Sequence, residues 1–204
     1  MGKKRRRVRH PLIGTPYDKN AFWYRTYLDE TNWAPSYDVT TRLIQQMDLG
    51  LGVELGTGYG WHAEQILLRC PTASVITVDA YDLAVDDMIQ KWNKGRYEQI
   101  YQETLQRLKP FGDRATQLRM TTMDAIEHAP ASFEWIYVDA SHDYESCLAD
   151  LETWAPRATR LLMGHDYGQP DHPGVKQAVD EYLAAAGLKL AGVTDYVWWA
   201  PIHG

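Results

Sequence analysis

Val53-Glu54-Leu55-Gly56-Thr57-Gly58-Tyr59-Gly60 is the stretch on which the fold of this 204-residue chain turns. An apolar run carrying one acid leads straight into three glycines spaced by single residues, and apolar residues at helical spacing follow from Trp61 to Arg69. Strand, glycine turn and helix in that order open a parallel α/β sheet. Glycines in such a turn permit positive φ and let a ligand approach the backbone amides. Outward from this unit the chain keeps alternating. Residues 51–55, 74–79, 116–121, 133–139 and 160–165 read as five strands. Helices are expected at 36–47, 61–69, 85–109 (interrupted near Gly95), 125–128, 144–154 and 175–186. Residues 189–193 and 196–200 add two strands joined by too short a turn for a crossover, so they pair antiparallel. The expected architecture is a doubly wound, mostly parallel, seven-stranded Rossmann-like sheet ending in an antiparallel hairpin.

The glycine spacing selects among ligands. A dinucleotide fingerprint places its third glycine three positions after the second, and Trp61 stands there; the third glycine is Gly60 instead. A pyrophosphate needs only open amides, whereas an amino-acid head needs amides for its carboxylate and an acid for its ammonium, which Glu54 can supply. Gly56, Gly58 and Gly60 form the turn. Asp79, at the end of the second strand, sits where an acid accepts ribose hydroxyls in nucleotide-binding sheets. Tyr81 is placed to lie against an adenine, and Asp124, after the third strand, to receive its amino group; the alternative for Asp124 is a helix cap.

Charge and composition narrow the partners. The net charge is −6, yet residues 3–9 hold six of the 21 basic side chains, leaving 15 basic against 27 acidic residues in the rest. An acidic body is a poor surface for duplex nucleic acid. Residues 1–16 are expected to form a flexible basic arm, and residues 17–204 a single domain whose aromatic segment 17–37 acts as a lid. Cys70 and Cys147 have no metal-ligand spacing, and such sparse cysteines suit a reducing, cytoplasmic setting. No apolar run reaches the length of a membrane span.

Residues 50–180 resemble the class I methyltransferases, and within them the methyltransferase-24 type related to the macrocin-type sugar O-methyltransferases. The resemblance rests on Glu54 to Gly60, on Ile136-Tyr137-Val138-Asp139-Ala140-Ser141-His142-Asp143-Tyr144-Glu145, on Ala149-Asp150-Leu151, on Gly164-His165-Asp166-Tyr167 and on Pro173-Gly174-Val175. It implies S-adenosylmethionine as cofactor. It also implies acids at the ends of strands four and five, which makes Asp139 and Asp166 candidate magnesium ligands. His165 stands where some relatives carry another acid, and a nitrogen ligand favours a transition metal. The family's glycine pair before the fifth strand is replaced by Pro156-Arg157-Ala158-Thr159-Arg160.

Methyl transfer to oxygen needs an aligned acceptor, a base and the exclusion of water. Asp139 and His142 are the candidate catalytic residues, His142 as the base. Asp143 is expected to cap the following helix, His172 and His203 to be loop and tail residues, and His62 to be an exposed helix residue. Methyltransferases acting on base or amide nitrogen often carry Pro-Pro and an aromatic after the fourth strand. Asp139-Ala140-Ser141-His142 lacks that pattern and favours an oxygen acceptor. Eight tryptophans and 13 tyrosines suit a sugar or planar small molecule. The expected activity is O-methylation of a saccharide or other small hydroxyl compound. Two alternatives stay open: a nucleic-acid methyltransferase using the basic arm, and a non-catalytic S-adenosylmethionine-binding module.

Overall fold

The computed structural model describes residues 36–81 and 96–202. The expected basic arm and most of the aromatic lid fall outside these residues. The described elements are α1 (Ser36–Met47), β1 (Leu51–Leu55), α2 (Trp61–Arg69), β2 (Ser74–Val78), α3 (Tyr97–Leu108), β3 (Ala115–Leu118), α4 (Thr122–Ala125), β4 (Phe133–Val138), α5 (Tyr144–Trp154), β5 (Ala158–Gly164), α6 (Pro173–Ala185), β6 (Gly192–Thr194) and β7 (Val197–Pro201). The seven strands form one sheet in the order β3-β2-β1-β4-β5-β7-β6. β1 pairs parallel with both β2 and β4, and β5 continues parallel on β4. β7 returns antiparallel between β5 and β6, as the short turn at Asp195–Tyr196 requires.

Both faces of the sheet are covered, and the period-two alternation of the strands divides the core between them. Trp135 and Tyr137 of β4 face the side where Val39 and Ile44 of α1 pack with Ala63, Ile66 and Leu67 of α2. Ile136 and Val138 face the other side, against Leu151 and Trp154 of α5 and Val175, Val179 and Leu183 of α6. Trp198 belongs to that second core at 1% exposure, so it is structural.

Two local expectations shift. The third strand ends at Leu118 and the short helix after it starts at Thr122, earlier than the sequence pattern placed them. Thr121 accounts for the change: its hydroxyl accepts the backbone N–H of Asp124 at 3.1 Å and fixes the helix start. Gly52 is inside β1, as the strand reading of residues 51–55 expects. A Cβ there would lie 1.9 Å from the Trp135 indole, so the glycine makes room for that ring, whose Nε1–H donates to the carbonyl of Gly50 at 3.1 Å.

Candidate active site

The β1–α2 turn lies beyond the carboxyl end of β1, which pairs with β2 on one side and β4 on the other. Gly56, Gly58 and Gly60 all take positive φ. At Gly56 the reason is a close approach: a Cβ would stand 1.9 Å from the carbonyl oxygen of Asp139, so the turn packs directly on the end of β4. Above Gly58 a Cβ would meet nothing within 4 Å, so the space over this residue is open. Its N–H donates to Oδ2 of Asp79 at 2.8 Å, while Oδ1 of Asp79 accepts the N–H of Tyr81 at 3.0 Å. The sequence-predicted acid of β2 and the glycine turn are thus in direct contact.

Tyr81 differs from the expectation of a ring laid on adenine. It is 4% exposed, its hydroxyl donates to the carbonyl of Gly58 at 3.0 Å and accepts from Nε2 of Gln117 at 2.9 Å. A phenol tied on both sides in this way props the turn from beneath. Asp124 is engaged in a capping interaction: Thr121 donates its hydroxyl to the carboxylate at 2.7 Å and accepts the Asp124 N–H. The cap itself is Thr121, and Asp124 is its partner in the first turn of the helix. Glu54 is 1% exposed and points one carboxylate oxygen at His62, with Nδ1 at 2.6 Å. His62 is accordingly half-buried and partnered, where the sequence suggested an exposed helix residue.

The ends of β4 and β5 bring the second constellation together. Nε2 of His142 lies 2.9 Å from Oδ2 of Asp166 and 3.9 Å from Oδ1 of Asp139. Nδ1 of His165 lies 3.1 Å from Oδ1 of Asp166. Asp166 is buried and holds positive φ, a strained backbone for a non-glycine residue that aims its carboxylate between the two histidines. Desolvation opposes its ionisation, but the hydrogen bonds to His142 and His165 outweigh that and hold its carboxyl well below the usual range. Asp139 goes the other way: desolvation pushes its carboxyl up to about 7, the neighbouring Asp166 adds to the rise, and His165 and His142 work against it. For His165, desolvation disfavours the cation, yet Asp166 and Asp139 prevail and raise its pKa.

His172 is the residue that sequence reasoning missed. It is the residue before α6, and its ring stacks on His142 with centroids 4.1 Å apart. The Pro173-Gly174 step seats it there: a Cβ on Gly174 would lie 2.6 Å from the N–H of Tyr144, so the start of α6 is pressed onto the loop that carries His142. The sequence signal was present as His172 directly before a Pro-Gly helix start.

Two overlapping groups have ligand atoms within 4.8 Å of one another: Asp139, His165 and Asp166, and His142, Asp166 and His172. Nε2 of His165 is buried without a hydrogen-bond partner. Mixed nitrogen and oxygen donors fit a divalent transition ion better than magnesium, which prefers an all-oxygen shell.

A family model described as a methyltransferase domain matches residues 53–167, more than half of the chain. The chain belongs to this family. It is a class I, S-adenosylmethionine-dependent methyltransferase, and its fold is similar to that of solved O-methyltransferases. The O-methyltransferase NovP is 17% identical, with 82% of this chain and 78% of that one covered and a TM-score of 0.61. CalS11, a TDP-rhamnose 3'-O-methyltransferase of calicheamicin biosynthesis, is 18% identical over 83% of this chain and 78% of its own, at a TM-score of 0.54. TomG of Streptomyces achromogenes, an O-methyltransferase solved with S-adenosylmethionine, is 15% identical over 89% and 86%, at 0.59. No curated protein sequence matches the chain. Within the described residues, no helix of this methyltransferase is long and apolar enough to cross a membrane.

Proposed function

We propose that this methyltransferase moves the methyl group of S-adenosylmethionine to a hydroxyl of a small molecule, a saccharide being the favoured acceptor class, with His142 as general base. One observation carries the reading. The carbonyl of Asp139 seals against Gly56, so the His142–Asp166–Asp139 cluster begins where the cofactor turn ends. A base and a methyl donor held on touching loops give the short in-line geometry that transfer requires. Glu54, Gly56, Gly58, Gly60 and Asp79 would hold the cofactor, with Tyr81 and Asp124 shaping the turn and the rim from behind. In the reaction the sulfur–methyl bond breaks as the oxygen–methyl bond forms, and the hydroxyl proton passes to the imidazole of His142. Asp166, 2.9 Å from that ring, fixes its orientation and balances its charge once protonated. A divalent ion on Asp139, His165 and Asp166 would supply acidification of the acceptor hydroxyl. The likeness to NovP and CalS11 and the absence of a Pro-Pro motif after Asp139 support an oxygen acceptor.

The test is single-turnover transfer of labelled methyl to a panel of nucleotide sugars, phenols and RNA. His142→Ala is expected to lower the rate on a verified hydroxyl acceptor by on the order of a hundredfold, the scale of a lost positioned base, while S-adenosylhomocysteine affinity stays within about tenfold, or 1.4 kcal/mol. Metal analysis of the purified protein, followed by EDTA treatment, reads the ion separately. Methylation of RNA with no small-molecule turnover would overturn the acceptor class, and unchanged turnover in His142→Ala would overturn the base.

A further inference from the structure

We infer that His62 is a positioning residue for the cofactor's amino-acid end, acting through Glu54. The inference rests on the S-adenosylmethionine reading above and adds a residue to it. Glu54 is buried at the carboxyl end of β1, at 1% exposure. One oxygen, Oε1, lies 2.6 Å from Nδ1 of His62. The other, Oε2, is buried with no hydrogen-bond partner. A carboxylate oxygen left bare in a protein interior is costly, by several times the value of an ordinary hydrogen bond. It persists where a ligand supplies the missing donor, and the ammonium of an amino acid is such a donor beside the glycine turn.

The position of that bare oxygen is set by His62, whose ring is held on three sides. Nδ1 meets Glu54, Nε2 lies 3.0 Å from the hydroxyl of Thr40 on α1, and one face stacks on Tyr137 of β4 at 4.1 Å. Thr40 has one hydroxyl proton, and it is directed at the carbonyl of Ser36, 3.0 Å away. The hydroxyl therefore accepts from Nε2–H of His62. Nδ1 lies within hydrogen-bond distance of Oε1, 2.6 Å away, so the imidazole clamps Glu54 by that oxygen. With that oxygen occupied and the ring fixed, Oε2 has one orientation left, and it is the acceptor offered to the cofactor. Without His62 the Glu54 carboxyl is free to rotate, and the ammonium loses its partner.

The discriminating experiment compares two probes on wild type, His62→Ala and His62→Asn: S-adenosylhomocysteine and its desamino analogue, which keeps the nucleoside, thioether and carboxylate. Wild type is expected to favour S-adenosylhomocysteine by tenfold or more in Kd. His62→Ala should erase that preference while leaving the affinity for the desamino analogue within twofold. His62→Asn, whose amide can occupy the place of Nδ1, should restore most of the preference, and it also serves if the alanine variant does not fold. Equal weakening of both probes would show that His62 merely supports the turn, and an unchanged preference in both variants would show that it does nothing for the ammonium; either overturns the inference. If wild type binds S-adenosylhomocysteine but shows no preference, the ammonium contact at Glu54 is wrong. If wild type binds neither probe, the cofactor reading fails first and takes this inference with it.

Discussion

Asp150 shows how single residues of the family pattern carry physical consequences away from the site. It sits on the buried face of α5, accepts the hydroxyl of Thr122, and burial pushes its carboxyl up to about 6, partly offset by that hydrogen bond. A carboxyl raised in the folded state above its unfolded value of about 3.9 favours folding most at low pH, and that contribution is lost as pH rises through about 6. Above that window the native state holds a buried carboxylate that the unfolded chain would hydrate. Asp150→Asn keeps an acceptor for Thr122 and removes the charge. Urea unfolding should find it more stable than wild type by about 1–3 kcal/mol at pH 8, converging with wild type near pH 4; a loss of stability at pH 8 would refute this account. His172 and His62 belong to the same scale. Each looked solitary along the chain, and each proves to be partnered by a residue 30 or 8 positions away.

Elements meet at glycines in this molecule, and the cost of filling those contacts is open to measurement. Gly52→Ala drives a methyl into the Trp135 indole across the β1–β4 pair, where the nearest ring atom is 1.9 Å away. Overpacking of a rigid ring costs about 1–3 kcal/mol, readable as a lower denaturation midpoint with an unchanged slope. Gly56→Ala should cost more, because the same 1.9 Å collision is with backbone and the φ of 84° is unfavourable to any side chain. Its second readout is functional: with the turn pried off Asp139, both cofactor affinity and turnover should fall, whereas Gly52→Ala should leave cofactor affinity near that of wild type. A Gly56→Ala variant with native affinity and rate would contradict the proposed junction of cofactor turn and chemistry. At the start of α4, Thr121→Ala removes one cap and should cost about 1 kcal/mol.

For the molecule as a whole, the sheet order places the ends of β1, β2, β4 and β5 side by side, and the glycine turn and the histidine–aspartate cluster lie at that one end of the sheet. A ligand bound only by the folded form stabilises it by about 2.7 kcal/mol at a hundredfold excess over Kd. For a domain of this size that corresponds to a rise in Tm of about 5–10 °C. S-adenosylhomocysteine should produce such a rise and NAD none, since Trp61 fills the dinucleotide glycine position. A shift with NAD alone would reverse the reading of the turn.

The sequence by itself determined the order and type of nearly every described element, the antiparallel ending, and the turn at Gly56, Gly58 and Gly60 with Asp79 in support. These are local matters. Apolar period, glycine position and connection length act over a few residues, so they can be read along the chain. It also placed Asp139, His142, His165 and Asp166 at strand ends, which the parallel topology alone brings together. What only the tertiary structure decided are the contacts between side chains on different elements: His142 on Asp166 and under His172, His62 between Glu54 and Thr40, and Tyr81 beneath the turn. Those depend on strand register, on helix seating at Gly174 and on which oxygen of a carboxylate faces which ring. Such quantities are fixed by close packing and hydrogen-bond satisfaction across the sheet edge, and no spacing along the chain encodes them.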